Sequence, residues 1–296
     1  MEFDDAIRQA WADHADHAAE VATRWPALRA LITDEPQLER LIGLTLHVHG
    51  THLGDWVGGR EALEALRSVP AYRDDSTSGQ GLSRALASLA LAAGSASPTP
   101  SASASDQIRI RAMAADALVE RDTARASELL REALAIESGS ALPDADPMHR
   151  ALAVIGHNLA CTLGDKAQRS ADERALMLLA AQVSRTHWAR AGTWLEVERA
   201  EYRLAMSWLG AGDPARARVH AQACLDIVAA NEGAALERFF GWEALGAAAR
   251  AAGDPAAHAD AVANARAAFA ELSTDDQGWC RDSLDKLAAF KSPAPG

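Results

Sequence analysis

Leu204-Ala205-Met206-Ser207-Trp208-Leu209-Gly210-Ala211-Gly212-Asp213-Pro214-Ala215-Arg216-Ala217 has a counterpart further along the chain. That counterpart is Leu245-Gly246-Ala247-Ala248-Ala249-Arg250-Ala251-Ala252-Gly253-Asp254-Pro255-Ala256-Ala257-His258. Both place an amphipathic helix before Gly-Asp-Pro-Ala and a second helix after it. Glycine takes the left-handed conformation that ends a helix. The aspartate then caps the next helix, and proline suits its first position. The two Gly-Asp-Pro triplets lie 41 residues apart, so the pattern predicts tandem helical hairpins. Such hairpins bury their apolar faces on one another and stack.

Working outward, helix signals dominate the chain. Phe3, Ile7, Trp11, Ala18 and Val21 predict a helix over 3–24, and Trp25-Pro26 is expected to bend or end it. Pro36 opens a helix to about Thr51 through Leu38, Leu41, Ile42, Leu46 and Val48. Leu53-Gly54-Asp55-Trp56 turns the chain, and helices over 60–68 and 80–93 follow. Residues 94–105 are rich in serine, alanine and proline and read as a flexible loop. Beyond it, hairpins are expected from Asp106, with helix-start signals at Asp146-Pro147, Ser170-x-x-Glu173 and Thr193-x-x-Glu196. Ser273-Thr274-Asp275-Asp276 caps a last helix with Trp279, Leu284, Leu287 and Phe290 on its buried side. No strand pattern emerges. Three regions result: a helical region over 1–93, the loop over 94–105 and a repeat domain over 106–290.

Composition narrows the class. The 296 residues are 49% hydrophobic but only 5% aromatic, so alanine, a strong helix former, supplies much of the core. Lys+Arg 29 against Asp+Glu 41 gives a formal charge of -12, which opposes nonspecific binding to nucleic acid or an anionic membrane. The acidic start, Met1-Glu2-Phe3-Asp4-Asp5, lacks a signal-peptide layout, and no apolar run matches a membrane span. Cys161, Cys224 and Cys280 are sparse and odd in number, which predicts reduced core thiols and a cytoplasmic protein.

The second hairpin resembles the tetratricopeptide-repeat (TPR) family. Trp242-x-x-Leu245-Gly246-x-x-Ala249 is similar to the first-helix signature, and Gly253-Asp254 to the turn. The preceding hairpin supplies Leu204-Ala205, Gly212-Asp213, Ala217, Ala221 and Cys224, and the resemblance extends over roughly 106–272. Units of about 41 residues also resemble the helical-repeat arms of large bacterial transcription activators. The resemblance implies an all-α, right-handed superhelix of antiparallel hairpins with a C-terminal capping helix. It also implies an adaptor that binds a protein or peptide in a concave groove lined by each hairpin's first helix. The alternative is a regulatory sensor whose repeats bind a small ligand or peptide.

On the 194–209 helix, Glu196, Arg199, Arg203 and Met206 form one stripe at i, i+3, i+7 and i+10. In the family's register, Arg199 and Arg203 fall on groove positions, and Asn158 takes the equivalent place one hairpin earlier. Carboxylate-clamp members of the family use Lys, Arg and Asn there to hold a peptide's C-terminal carboxylate. The resemblance therefore implies peptide binding by Asn158, Arg199, Arg203 and Met206, with an acidic or C-terminal-carboxylate partner. The same spacing also fits a plain in-helix pair between Glu196 and Arg199.

Other constellations give less. His47, His49 and His52 invite a metal reading, but on an α-helix His47 and His49 point apart and only His49 and His52 share a face. No carboxylate or cysteine completes a coordinating set nearby, and one helix does not readily supply four tetrahedral ligands, so a polar helix end is expected there; His14 and His17 read the same way. No sequence motif of a known catalytic or phosphate-binding class appears. The sequence reading is thus a non-enzymatic binding protein with no cofactor and no metal. It leaves the oligomeric state open.

Overall fold

Glycine, aspartate and proline do at the two repeat turns what the sequence predicts. The structure, a computed structural model, describes residues 2–95 and 102–289. Gly212 and Gly253 take φ of 83° and 72°, in the left-handed region that side chains avoid. Asp213 N donates to Trp208 O at 2.9 Å and Asp254 N to Ala249 O at 3.0 Å, so both helices end in a Schellman motif. Asp213 Oδ1 then accepts from Arg216 N, and Asp254 Oδ1 from Ala257 N, each at 3.0 Å. One tripeptide both stops a helix and starts the next.

The described residues form helices and turns, with no strand and fifteen α-helices among them. The chain divides into two compact units, Met1–Ala151 and Leu152–Gly296. In the first lie α1 (Phe3–Asp13), α2 (Ala18–Thr23), α3 (Trp25–Ala30), α4 (Glu35–Thr45), α5 (Trp56–Ala65), α6 (Thr77–Ala92), α7 (Ala104–Leu118) and α8 (Thr123–Ser138). Then come α9 (Pro147–Gly164), within which the division falls, and α10 (Ala171–Ala191). The hairpins α11 (Trp194–Gly210) with α12 (Pro214–Ala230), and α13 (Ala235–Ala251) with α14 (Pro255–Ala270), precede α15 (Thr274–Ala288).

Helix starts follow their caps. Both capping boxes, Ser170 with Glu173 and Thr193 with Glu196, are formed. Ser103 caps α7 by accepting from Asp106 N at 3.1 Å, so residues 104 and 105 are helical rather than loop. Residues 96–101 of the serine-rich stretch, together with Phe290, Pro293 and Pro295, lie outside the described residues.

The N-terminal region departs from expectation in two places. The helix expected over 3–24 stops at Asp13, and His14 Nδ1–H there donates back to Trp11 O at 2.5 Å. The next expected helix changes character after Thr45, where Leu46–Leu53 forms a π-helix. Gly54, at φ 61°, ends it, and Asp55 caps α5 through Gly58 N at 2.9 Å. Two bonds from Arg121 hold this segment, to Thr51 O at 2.7 Å and His52 O at 2.8 Å. A Cβ on Gly54 would meet Arg121 Nε at 2.0 Å, so glycine is required there on two counts.

Each unit has its own core. In the first, Ile7, Leu38, Leu41, Leu63, Leu66, Leu82 and Leu89 are fully buried and belong to one cluster. Each contributes about 2 kcal/mol of apolar burial. In the second, α11 packs on both α12 and α13, α13 on α14, and α15 on both α13 and α14. First helices of consecutive hairpins thus touch. Small residues, Ala205 of α11, Ala221 of α12 and Ala244 of α13, form one cluster, with Tyr202, Met206 and Leu245 at its margin. Gly241 belongs to the same economy of size, since a Cβ there would sit 2.7 Å from Leu225 Cδ2. Phe239, Phe269, Cys280, Leu284 and Leu287 close the far end beneath α15.

Trp279 corrects the reading of the last helix. It is 67% exposed rather than buried.

Candidate functional site

Two side-chain stripes face each other in the C-terminal unit. On α11, Glu198, Arg199, Tyr202 and Arg203 recur at helical spacing, and on α13 Leu236, Glu237 and Phe240 do the same. With His157 from α9 and Trp279 from α15 they line a cleft of about 460 Å³. The stacking of α11 on α13 positions both stripes.

One wall is aromatic. Tyr202 and Phe240 meet edge-on with centroids 5.5 Å apart, and Phe240 meets Trp279 at 5.3 Å. Tyr202 is anchored from behind, its hydroxyl donating to Glu243 Oε2 at 2.7 Å. Burial and then the Glu243 carboxylate push the Tyr202 phenol well up, so it stays a donor.

The other wall is charged. Arg199 Nη2 donates to Glu237 Oε1 at 3.1 Å across the two helices, so the in-helix partner Glu196 is not what it finds in this bond. Glu196 instead accepts from Thr193 N and Oγ1 in the capping box. Arg203 is different, for its Nε is buried without a hydrogen-bond partner. Glu198 Oε1 is likewise buried and unpartnered. Burial, reinforced by the Glu237 charge, pushes the Glu198 carboxyl up to about 7. Burial and then the Arg203 cation hold His157 down to about 4, so its ring is neutral, and Nε2 faces Cys161 Sγ at 3.4 Å.

The arrangement offers one guanidinium with an unspent donor, a carboxyl that is neutral below about pH 7, and an exposed aromatic lip. Buried polar groups are normally satisfied, so the unpaired Nε and Oε1 are exceptions that no hydrogen bond within the described residues accounts for. An anionic group near Arg203 with an apolar moiety against Phe240 and Trp279 meets all three features.

Of the residues singled out in the sequence, Arg199 and Arg203 come together in this cleft. His157 lines it in place of its neighbour Asn158. Met206 packs beside the Ala205–Ala221–Ala244 contact instead. Sequence reasoning missed Glu198, Tyr202, Glu237, Phe240 and Trp279. The signal for them was the register itself: Tyr202 and Glu243, which bond each other, are 41 residues apart, one repeat period. A second cleft of about 520 Å³ lies along α12 and α13, near Leu225, Val228, Arg238 and Trp242. Arg238 there is paired with Glu271.

No family model matches the chain, and neither a curated protein nor a solved structure matches it. No helix among the described residues is long and apolar enough to cross a membrane.

Proposed function

We propose that the C-terminal unit is a TPR-like adaptor that holds an acidic or C-terminal-carboxylate segment of a partner protein in this cleft. On this reading α11–α14 are divergent repeats in a right-handed superhelix, and α15 is its capping helix. The repeat turns, the contact between first helices and the position of both arginines on α11 support it. The observation that carries it is Arg203, whose buried Nε has no partner within the protein. Guanidinium suits a carboxylate because parallel N–H donors fix its orientation. The aromatic lip supplies the apolar contact and peptide selectivity.

The test is selection from a displayed library of C-terminal peptides against the full chain, repeated with Arg199→Glu/Arg203→Glu. Selected ligands should carry a free or side-chain carboxylate near an apolar residue. The double reversal should abolish their binding while the circular dichroism of the helices is unchanged, since glutamate is also a helix former. Normal binding by the folded double variant would sink the assignment. Capture of free small carboxylates but no peptide would replace the adaptor with the sensor.

A further inference from the structure

The π-helix of the N-terminal unit gathers three imidazoles that neither the core nor the cleft uses. In an α-helix His47 and His52 would sit about 140° apart around the axis. The wider π turn brings them onto one face instead, with Nε2 atoms 3.2 Å apart. π segments of this kind are uncommon and concentrate at functional sites. His14, at the end of α1, completes the group, its ring centroid 5.0 Å from that of His47 and 5.1 Å from that of His52. One ring nitrogen of each residue lies within 4.8 Å of those of the other two.

Distances and surroundings point to a cation. Zinc–imidazole bonds of about 2.0–2.1 Å in a tetrahedral shell put ligand nitrogens about 3.3 Å from each other, close to the His47–His52 separation. The Nδ1–H of His14 is committed to Trp11 O, which leaves Nε2 as its available lone pair. Metal-binding histidines are commonly oriented in this way by a carbonyl or carboxylate at the other nitrogen. His47 has a carboxylate on its far side: Asp116 Oδ2 is 3.9 Å from its Nδ1 and accepts from Thr51 Oγ1 at 3.2 Å. Asp116 is 8% exposed, and its other oxygen, Oδ1, is buried without a partner. The Asp116 carboxyl thus stands behind His47 with acceptor capacity left to orient that ring. Trp11 packs against the rings of His14 and His47, and Arg121 fixes the carbonyls of Thr51 and His52. His49 belongs elsewhere, its Nδ1 turned to Asp55 at 3.4 Å.

We propose that His14, His47 and His52 bind one divalent first-row transition-metal ion, zinc foremost, through one imidazole nitrogen each. Three imidazoles select such an ion over calcium or magnesium, which prefer oxygen ligands. Three protein ligands leave a fourth position for water or an exchangeable group, the pattern of an open site. Asp116 is a positioning residue behind His47.

The test uses the full chain, purified without a histidine tag and stripped with chelator. Zinc uptake is measured by calorimetry, and cobalt uptake by visible absorption, on wild type, His14→Gln and His47→Gln/His52→Gln. The wild type should take up one equivalent of metal that the folded double variant lacks, and zinc should raise its melting temperature. Cobalt should give the spectrum of a four-coordinate, imidazole-bound ion. His14→Gln changes only an end residue of α1, so it reports even where the double variant unfolds, and its affinity should fall at least about ten-fold. Absence of zinc uptake at millimolar zinc overturns the site. So does uptake of equal stoichiometry and affinity by wild type and His14→Gln.

Discussion

Glu198 is the residue whose chemistry most directly ties the cleft to pH. Its carboxyl is raised to about 7 by burial and by Glu237. As pH climbs from about 6 to about 8 the cleft therefore gains a negative charge beside Glu237 and Arg199. Affinity for an anionic peptide should fall across that interval, and Glu198→Gln should flatten the profile. A steep profile retained by Glu198→Gln would assign the titration to another group. The same shift acts on stability with a defined sign. The folded protein holds the proton more tightly than the unfolded chain, so the stability linked to Glu198 is full below about 4.5 and is lost as pH rises through about 7. Glu198→Gln should then stabilise the protein above pH 7, where the wild type must hold a buried carboxylate. It should do little near pH 4, and urea titrations at the two pH values measure the difference. Trp279 separates binding from folding in another way. At 67% exposed it contributes little to the core, so Trp279→Ala should leave the melting temperature nearly unchanged while weakening peptide binding several-fold. A large loss of stability with intact binding would make it a structural residue instead.

At the scale of elements, the turns carry a prediction of their own. Gly212 and Gly253 have open space where a Cβ would go, so alanine there meets no clash and suffers only the left-handed backbone penalty. Each Gly→Ala should cost about 1–2 kcal/mol, read as a lower urea midpoint with an unchanged slope. A null effect would mean that these turns relax to another geometry at no cost. These elements were legible because glycine, aspartate and proline each have a fixed backbone preference, and both capping boxes because Ser170–Glu173 and Thr193–Glu196 are local. The π-helix was not. Leu46, Val48 and Leu53 suit an α or a π turn equally in hydrophobic pattern, and the choice is made by contacts far along the chain. Thr51 bonds Asp116, and Arg121 binds two carbonyls of the segment. That same blindness hid the meeting of His47 and His52. The break after Asp13 was equally illegible, since no proline or glycine marks it.

At the scale of the molecule, the all-helical class was readable from alanine content and period, whereas the cleft was readable only in half. Arg199 and Arg203 sit on one helix and follow from its spacing, but Glu237, Phe240 and Trp279 join them only once α13 and α15 have packed. Net charge adds a further expectation. A chain of formal charge -12 repels acidic ligands at long range, so the attraction must come from the short-range arginine contact. Raising salt screens both terms, and the contact is the larger at close approach, so affinity should decline as ionic strength rises. The most direct measurement of the central claim is a thermodynamic cycle on a selected peptide. Its C-terminus is free or amidated, and the protein is wild type or Arg203→Met. Amidation should weaken binding to the wild type about 10- to 100-fold, the worth of a charge-assisted hydrogen bond, and to Arg203→Met by less than about three-fold. An equal loss in both proteins would show that Arg203 does not hold the carboxylate.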